Sequence, residues 1–125
     1  MNLILDTHTL LWWLSDEATL SPAARSAIAD PENTVYLSAV VIWEIRIKEA
    51  IGKLTLPPDF REVLDEQSFV ELAISVAHAH ALRDLPPIHR DPFDRLLVAQ
   101  AVHEGMLIAT HDPDIARYGV GIVVA

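Results

Sequence analysis

The sequence predicts an α/β sandwich in which a central, mostly parallel sheet is covered by helices on both faces. Three observations carry that expectation. The strand-like runs, such as NLIL, VYL and MLIAT, are short and largely apolar, as strands buried on both sides are. Segments with helical start and stop signals separate consecutive runs, which is how a parallel sheet is connected. The chain has 125 residues, and a domain of that length buries roughly two-thirds of the surface its unfolded form would expose. No repeat, low-complexity tract or long linker divides it, so residues 1–125 read as one domain.

The elements follow in order. Asn2 to Leu5 reads as a short buried strand, and Thr9 to Leu14 as one or two helical turns after it. Ser21 and Pro22 have the character of an N-cap and first helical residue, opening a helix to about Ala29 that Asp30 and Pro31 break. Val35 to Leu37 forms a second strand, and Ser38 caps a long helix from Ala39 to Ile51 that Gly52 ends. Pro57 and Pro58 mark a loop before a helix near Asp59 to Glu66. Phe69 to Ile74 is expected as a strand and Val76 to Leu82 as a helix. Beyond Pro86 and Pro87 come a helix from Pro92 to Glu104, a strand from Met106 to Thr110, a short helix near Asp114 to Arg117, and a last strand from Gly121 to Val124.

No apolar run approaches the roughly 20 residues that cross a bilayer, and the amino terminus MNLILD carries no basic leader segment. A cytoplasmic protein is expected. The absence of cysteine excludes disulfides and thiolate metal sites. With 18 acidic against 9 basic residues the net charge is −9, which argues against a nucleic-acid ligand unless acids are concentrated in a pocket whose bound cations reverse the local sign.

Ligands of parallel α/β sheets bind beyond the carboxyl ends of the strands, and two acids lie there: Asp6 ends the first strand and Asp112 follows Thr110 by two. Each is also explicable as a helix N-cap. Glu44 is harder to assign to a purely structural role, because Val40, Val41, Ile47 and Ile51 place it on an apolar helix face; Lys48, one turn on, offers a local ion pair. In DPFDR, Asp91 reads as N-cap and Pro92 as the first helical residue, while Asp94 precedes the inward stripe of Leu97, Val98 and Ala101. If these carboxylates converge, two of them about 5 Å apart repel by roughly 3 kcal/mol at an effective dielectric near 20. A divalent cation relieves that strain, and an all-oxygen donor set suits Mg²⁺ or Mn²⁺ better than Zn²⁺. The chemistry such a site serves is phosphodiester hydrolysis.

The stretches LILDTHTLLWWL, SAVVIWEIRIKEAIGKL, HRDPFDRLLVAQA and LIATHD resemble, in this order and from end to end, the PIN-domain ribonucleases, and among them the VapC-type toxins of bacterial toxin–antitoxin pairs. The resemblance implies a three-layer α/β/α fold, Mg²⁺ or Mn²⁺ held by Asp6, Glu44, Asp94 and Asp112, and cleavage of RNA. It implies that the hydroxyl of Thr110 assists the site, with Thr7 and Thr9 similar in kind and His111 at the pocket or pointing outward. A homodimer silenced by a VapB-like antitoxin is the expected assembly. Adjacent on one helix, Trp12 and Trp13 cannot both face one core, so one is available to an interface, whereas Trp43 is expected in the core.

Other chemistries fit less well. The six histidines form no recognised zinc-ligand spacing, no G-x-S-x-G elbow is present, and four glycines make no phosphate loop. Arg46, Lys48, Lys53, Arg90 and Arg95 flank the acidic motifs and form the group from which phosphate contacts are expected. The rival from another class is a non-catalytic module whose acidic pocket docks a basic partner.

Overall fold

The computed structural model describes residues 1–125. Five strands, β1 (Asn2–Leu5), β2 (Thr34–Ser38), β3 (Val70–Leu72), β4 (Leu107–Thr110) and β5 (Ile122–Val124), form one sheet in the order β3-β2-β1-β4-β5. Every pairing is parallel, so the expected mostly parallel sheet is wholly so. Around it lie α1 (Thr7–Leu14), α2 (Pro22–Ala29), α3 (Ala39–Ala50), α4 (Phe60–Asp65), α5 (Val76–Ala81), α6 (Pro92–Glu104) and α7 (Pro113–Ala116), with a 3-10 turn at Leu82–Asp84. No helix is long and apolar enough to cross a membrane.

β1 is the centre of the sheet, and its side chains show that both faces are covered. Successive strand residues point to opposite faces, yet Leu3, Ile4 and Leu5 are all buried, as are Ile108 and Ala109 on the neighbouring β4. This explains why these strands read as continuous apolar runs. Helix packing closes the two layers: α3 contacts α1 and α6, and α5 lies along α6. Ser38 at the end of β2 bonds the buried Gln100 of α6, whose amide also donates to the carbonyl of Ala73 at 3.3 Å. That polar link fixes α6, and hence Asp94 on its first turn, against the sheet.

The boundaries differ from expectation where caps act. α1 begins at Thr7, two residues early, because Asp6 is its N-cap and accepts from the backbone N–H of Thr9. α7 begins at Pro113 because Asp112 caps it in the same way. β3 keeps only Val70–Leu72 of the longer expected strand, since the chain must leave the sheet for Ser75 to cap α5. Gly105, at φ 69°, ends α6 in the left-handed conformation, where a side chain would be strained.

The strand order sets the location of the site. From β1 the chain moves to β2 and β3 on one side, whereas β4 and β5 lie on the other. The carboxyl ends of β1 and β4 therefore flank a topological switch point, where parallel sheets leave a crevice. The backbone N–H of Asp6 bonds the carbonyl of Ala109 across that point at 3.2 Å.

Candidate active site

A cavity of about 430 Å³ opens over the switch point, lined by Asp6, Glu44, Asp94 and Asp112 together with Lys48 and Asp91. The four predicted carboxylates thus come to one place from β1–α1, α3, α6 and β4–α7. Two of them are joined by Thr110. Its hydroxyl donates to Oδ2 of Asp6 and accepts the backbone N–H of Asp112 at 3.0 Å, while Oδ1 of Asp6 caps α1 through Thr9 at 2.9 Å. Thr110 is buried and does not line the cavity. Its hydroxyl donates once and accepts once within the protein, and so helps to hold Asp6 and Asp112 in place. Thr9 is more remote, its hydroxyl bonded to the carbonyl of Ala109.

Glu44 is buried beside Val40, Val41 and Ile45. Desolvation of a carboxylate is costly without partners, and it has two: the Thr7 hydroxyl on Oε1 and the Lys48 ammonium on Oε2, both at 2.5 Å. The local ion pair foreseen as an alternative therefore exists, but it sits on the cavity wall, not on a solvated helix face. The pKa of Lys48 is raised, chiefly by its hydrogen bond to Glu44 and further by the charges of Glu44, Asp91 and Asp94 against an opposing effect of burial. Of the five basic residues singled out, Lys48 alone lines the cavity; Arg46 pairs with Glu49 at 2.8 Å and Arg95 donates to the carbonyl of Pro86 at 2.8 Å.

Asp91 caps α6, its Oδ1 accepting from the N–H of Phe93 at 2.8 Å and of Asp94 at 3.3 Å. Asp94 differs from the other acids. Its carboxylate takes no hydrogen bond from the protein, yet no fully buried polar side-chain atom lacks a partner, so its oxygens open into the cavity. Burial, followed by the charges of Asp91 and Glu44, pushes its pKa from 3.8 up to about 7, against a lowering effect of His89. A carboxylate held at that cost fits a cation site. The acids on the cavity wall offer carboxylate oxygens, beside His8 and His111, and the chain has no cysteine; carboxylate oxygens suit Mg²⁺ or Mn²⁺.

The pattern of the PIN domain matches residues 3–121. The chain belongs to the PIN domain family. Within that family it is similar to Ribonuclease VapC22 of Mycobacterium tuberculosis (strain ATCC 25618 / H37Rv), 29% identical over 118 residues that span 89% of this chain and 87% of the relative. The fold is shared with VapBC2 from Rickettsia felis, solved bound to a DNA fragment from their promoter, at TM-score 0.75, 14% identity and 98% coverage of both chains. FitAcB from Neisseria gonorrhoeae gives TM-score 0.67 at 20% identity, covering 98% of this chain and 96% of the other. The resemblance read from the residues and the α/β/α architecture are both borne out.

This PIN domain also holds features that sequence reasoning missed. His89, on the loop before α6, bonds Asp112 Oδ2 through Nε2 at 2.9 Å and Tyr118 through its other nitrogen; with Asp112 and Asp114 it forms a group of ligand atoms within 4.8 Å of one another. The 23 residues separating His89 from Asp112 hide the pair from any helix or strand period, although its place two residues before Asp91 was a cue. Trp43 is 49% exposed and packs edge-to-face on Phe93, which corrects its assignment to the core: Glu44 and Ile45 take the buried side of α3. The tandem tryptophans divide. Trp12 lines the cavity between His8 and His111, whereas Trp13 donates to Gln67 at 3.0 Å. His111 is exposed at the rim, with Nδ1 bonded to the carbonyl of Ala125 at 3.1 Å.

Proposed function

We propose that this PIN domain is an Mg²⁺- or Mn²⁺-dependent endoribonuclease, the toxin of a VapBC-type toxin–antitoxin pair, hydrolysing RNA phosphodiester bonds in the cytoplasm. The observation that carries this reading is the convergence of four carboxylates on the cavity at the sheet's switch point, with Asp94 unpaired and its pKa pushed up to about 7. Family membership and the similarity to a named ribonuclease support it. Asp6, Glu44, Asp94 and Asp112 would hold the ion. When bound, it lowers the pKa of attacking water and neutralises charge on the leaving oxygen.

The chain's own residues supply the positioning. Asp6 is immobilised by Thr9 and Thr110, Glu44 by Thr7 and Lys48. Such carboxylates need no reordering when a cation and substrate arrive. Lys48, paired with Glu44, is the one lysine or arginine on the wall and would be the side chain to meet a phosphate there. The local cation and Lys48 together offset the repulsion that a net charge of −9 exerts on RNA. A VapB-like antitoxin, in line with similar chains solved as VapBC2 and FitAcB, and a homodimer complete the proposed assembly.

Purified, partner-free protein incubated with structured RNAs and Mg²⁺ or Mn²⁺ should cleave, and Asp94→Asn should not. No cleavage across a broad RNA panel, or equal cleavage by the variant, would refute the enzyme reading in favour of a pocket that only docks a basic partner.

A further inference from the structure

Outside the four carboxylates, the most constrained polar arrangement at the cavity runs from Tyr118 through His89 to Asp112. The Tyr118 hydroxyl accepts the backbone N–H of His89 at 2.8 Å and lies 3.0 Å from the ring Nδ1. The two rings are also stacked, with centroids 5.4 Å apart and planes 7° from parallel. A tyrosine hydroxyl has one hydrogen to give. Because the ionised carboxylate of Asp112 only accepts, the hydrogen of the neutral ring sits on Nε2, and Nδ1 is then the acceptor for the Tyr118 hydroxyl hydrogen. Nε2 faces Asp112 Oδ2 at 2.9 Å, so the imidazole donates to the carboxylate. Each hydrogen along this relay then has one donor and one acceptor.

Asp112 is held from three directions. Its Oδ1 accepts from the N–H of Asp114 at 2.9 Å, its own N–H donates to Thr110 at 3.0 Å, and its Oδ2 takes the His89 hydrogen. Without His89, Oδ2 would be free to turn toward water, since this side chain is about one-third exposed (35%) whereas the imidazole is largely covered (12%). His89 itself lies on a loop, where a side chain needs anchoring to be an orienting group. Tyr118 provides two anchors, one on the backbone and one on the ring.

We propose that His89, locked in its Nε2–H form by Tyr118, is a positioning residue that orients Asp112 as a ligand of the divalent cation. The inference rests on the proposed metal-dependent function and names a control on that site outside the acids themselves. Partners that orient metal ligands commonly change affinity by about 10- to 100-fold when removed.

Mn²⁺ binding isotherms, read from the paramagnetic resonance of free Mn²⁺, test it on the full chain with melting curves in EDTA to confirm folding. His89→Ala should weaken binding by at least about 10-fold. His89→Gln, whose amide N–H falls near the place of Nε2–H, should recover most of that loss, and Tyr118→Phe should weaken binding while leaving the imidazole in place. Equal Mn²⁺ affinity for wild type and His89→Ala overturns this inference and leaves the proposed function standing. A glutamine variant as weak as the alanine variant also overturns it, because ring packing and not the donated hydrogen would then be responsible. If wild type binds no Mn²⁺, both the inference and the metal-dependent reading fall.

Discussion

Asp94 provides the sharpest quantitative test, because replacing it by asparagine should make the metal-free protein more stable. The carboxyl titrates near 7 in the folded protein instead of 3.8. At about 1.4 kcal/mol per pKa unit, this difference amounts to about 4 kcal/mol, which solvent screening of a partly open side chain reduces to about 2 kcal/mol. The sign follows from proton counting. Between 3.8 and about 7 the folded state holds a proton that the unfolded state has lost, so stability falls as pH rises through that window and is lowest above it. The amide of an asparagine carries no charge to desolvate. In EDTA at about pH 8, Asp94→Asn should melt roughly 6–10 °C above wild type, given about 3–5 °C per kcal/mol for a domain of this size. Near pH 5 the advantage should be smaller, because only the part of the window between 3.8 and 5 has then been crossed. Added Mg²⁺ should raise the wild-type melting temperature and leave the variant nearly unchanged. Scanning calorimetry at the two pH values reads all of this. A variant no more stable than wild type at pH 8, or an advantage independent of pH, would refute the account of Asp94 as a carboxylate held ionised at a cost.

Three further outcomes follow from the contacts. Asp91→Ala removes the N-cap of α6 and should cost about 1 kcal/mol in denaturant unfolding, while keeping RNA cleavage within about 10-fold of wild type; abolished cleavage in a folded variant would move Asp91 into the ligand set. Thr110→Val strips the hydroxyl shared by Asp6 and Asp112 and should cost about 1–3 kcal/mol by the same measurement, together with weaker Mn²⁺ binding. Trp43→Ala should cost less than about 1.5 kcal/mol, far below the roughly 3–5 kcal/mol of a truncated core aromatic, because half of the side chain already meets water.

The fold was largely legible because its centre is built from short apolar strands and explicit punctuation. Ser21-Pro22, Ser38, Gly52 and Asp91-Pro92 each mark an end that the structure reproduces within a residue or two. The parts that were not legible depend on tertiary contact. Trp43 is expected in the core from the sequence, but on α3 the neighbouring Glu44 and Ile45 turn inward and leave the indole half outside. Ile51 was counted with the apolar face of Glu44 and is 60% exposed at the helix end. His89 meets Asp112 and Tyr118 only because the α6 approach loop and the β4–α7 segment converge, and no local period encodes that meeting.

The ambiguity of the acids themselves has a physical reason that the structure exposes. Asp6 and Asp112 looked like helix caps, and they are: one oxygen of each accepts a backbone N–H at the start of α1 and α7. The capping and site readings are therefore not alternatives. A carboxylate pinned through one oxygen at a helix N-terminus presents the other in a fixed direction, and the positive end of a helix lowers the cost of keeping it ionised, although α7, of four residues, gives little of that help. Thr110 and His89 then claim the second oxygens, Oδ2 of Asp6 and of Asp112. Asp94, in the first turn of α6 with a carboxylate that takes no hydrogen bond, is left as the acid whose charge the folded protein compensates poorly. A site made of three secured carboxylates, Asp6, Glu44 and Asp112, and one poorly compensated one is pre-arranged in geometry and deficient in positive charge, and under the proposed function a divalent cation would supply that charge.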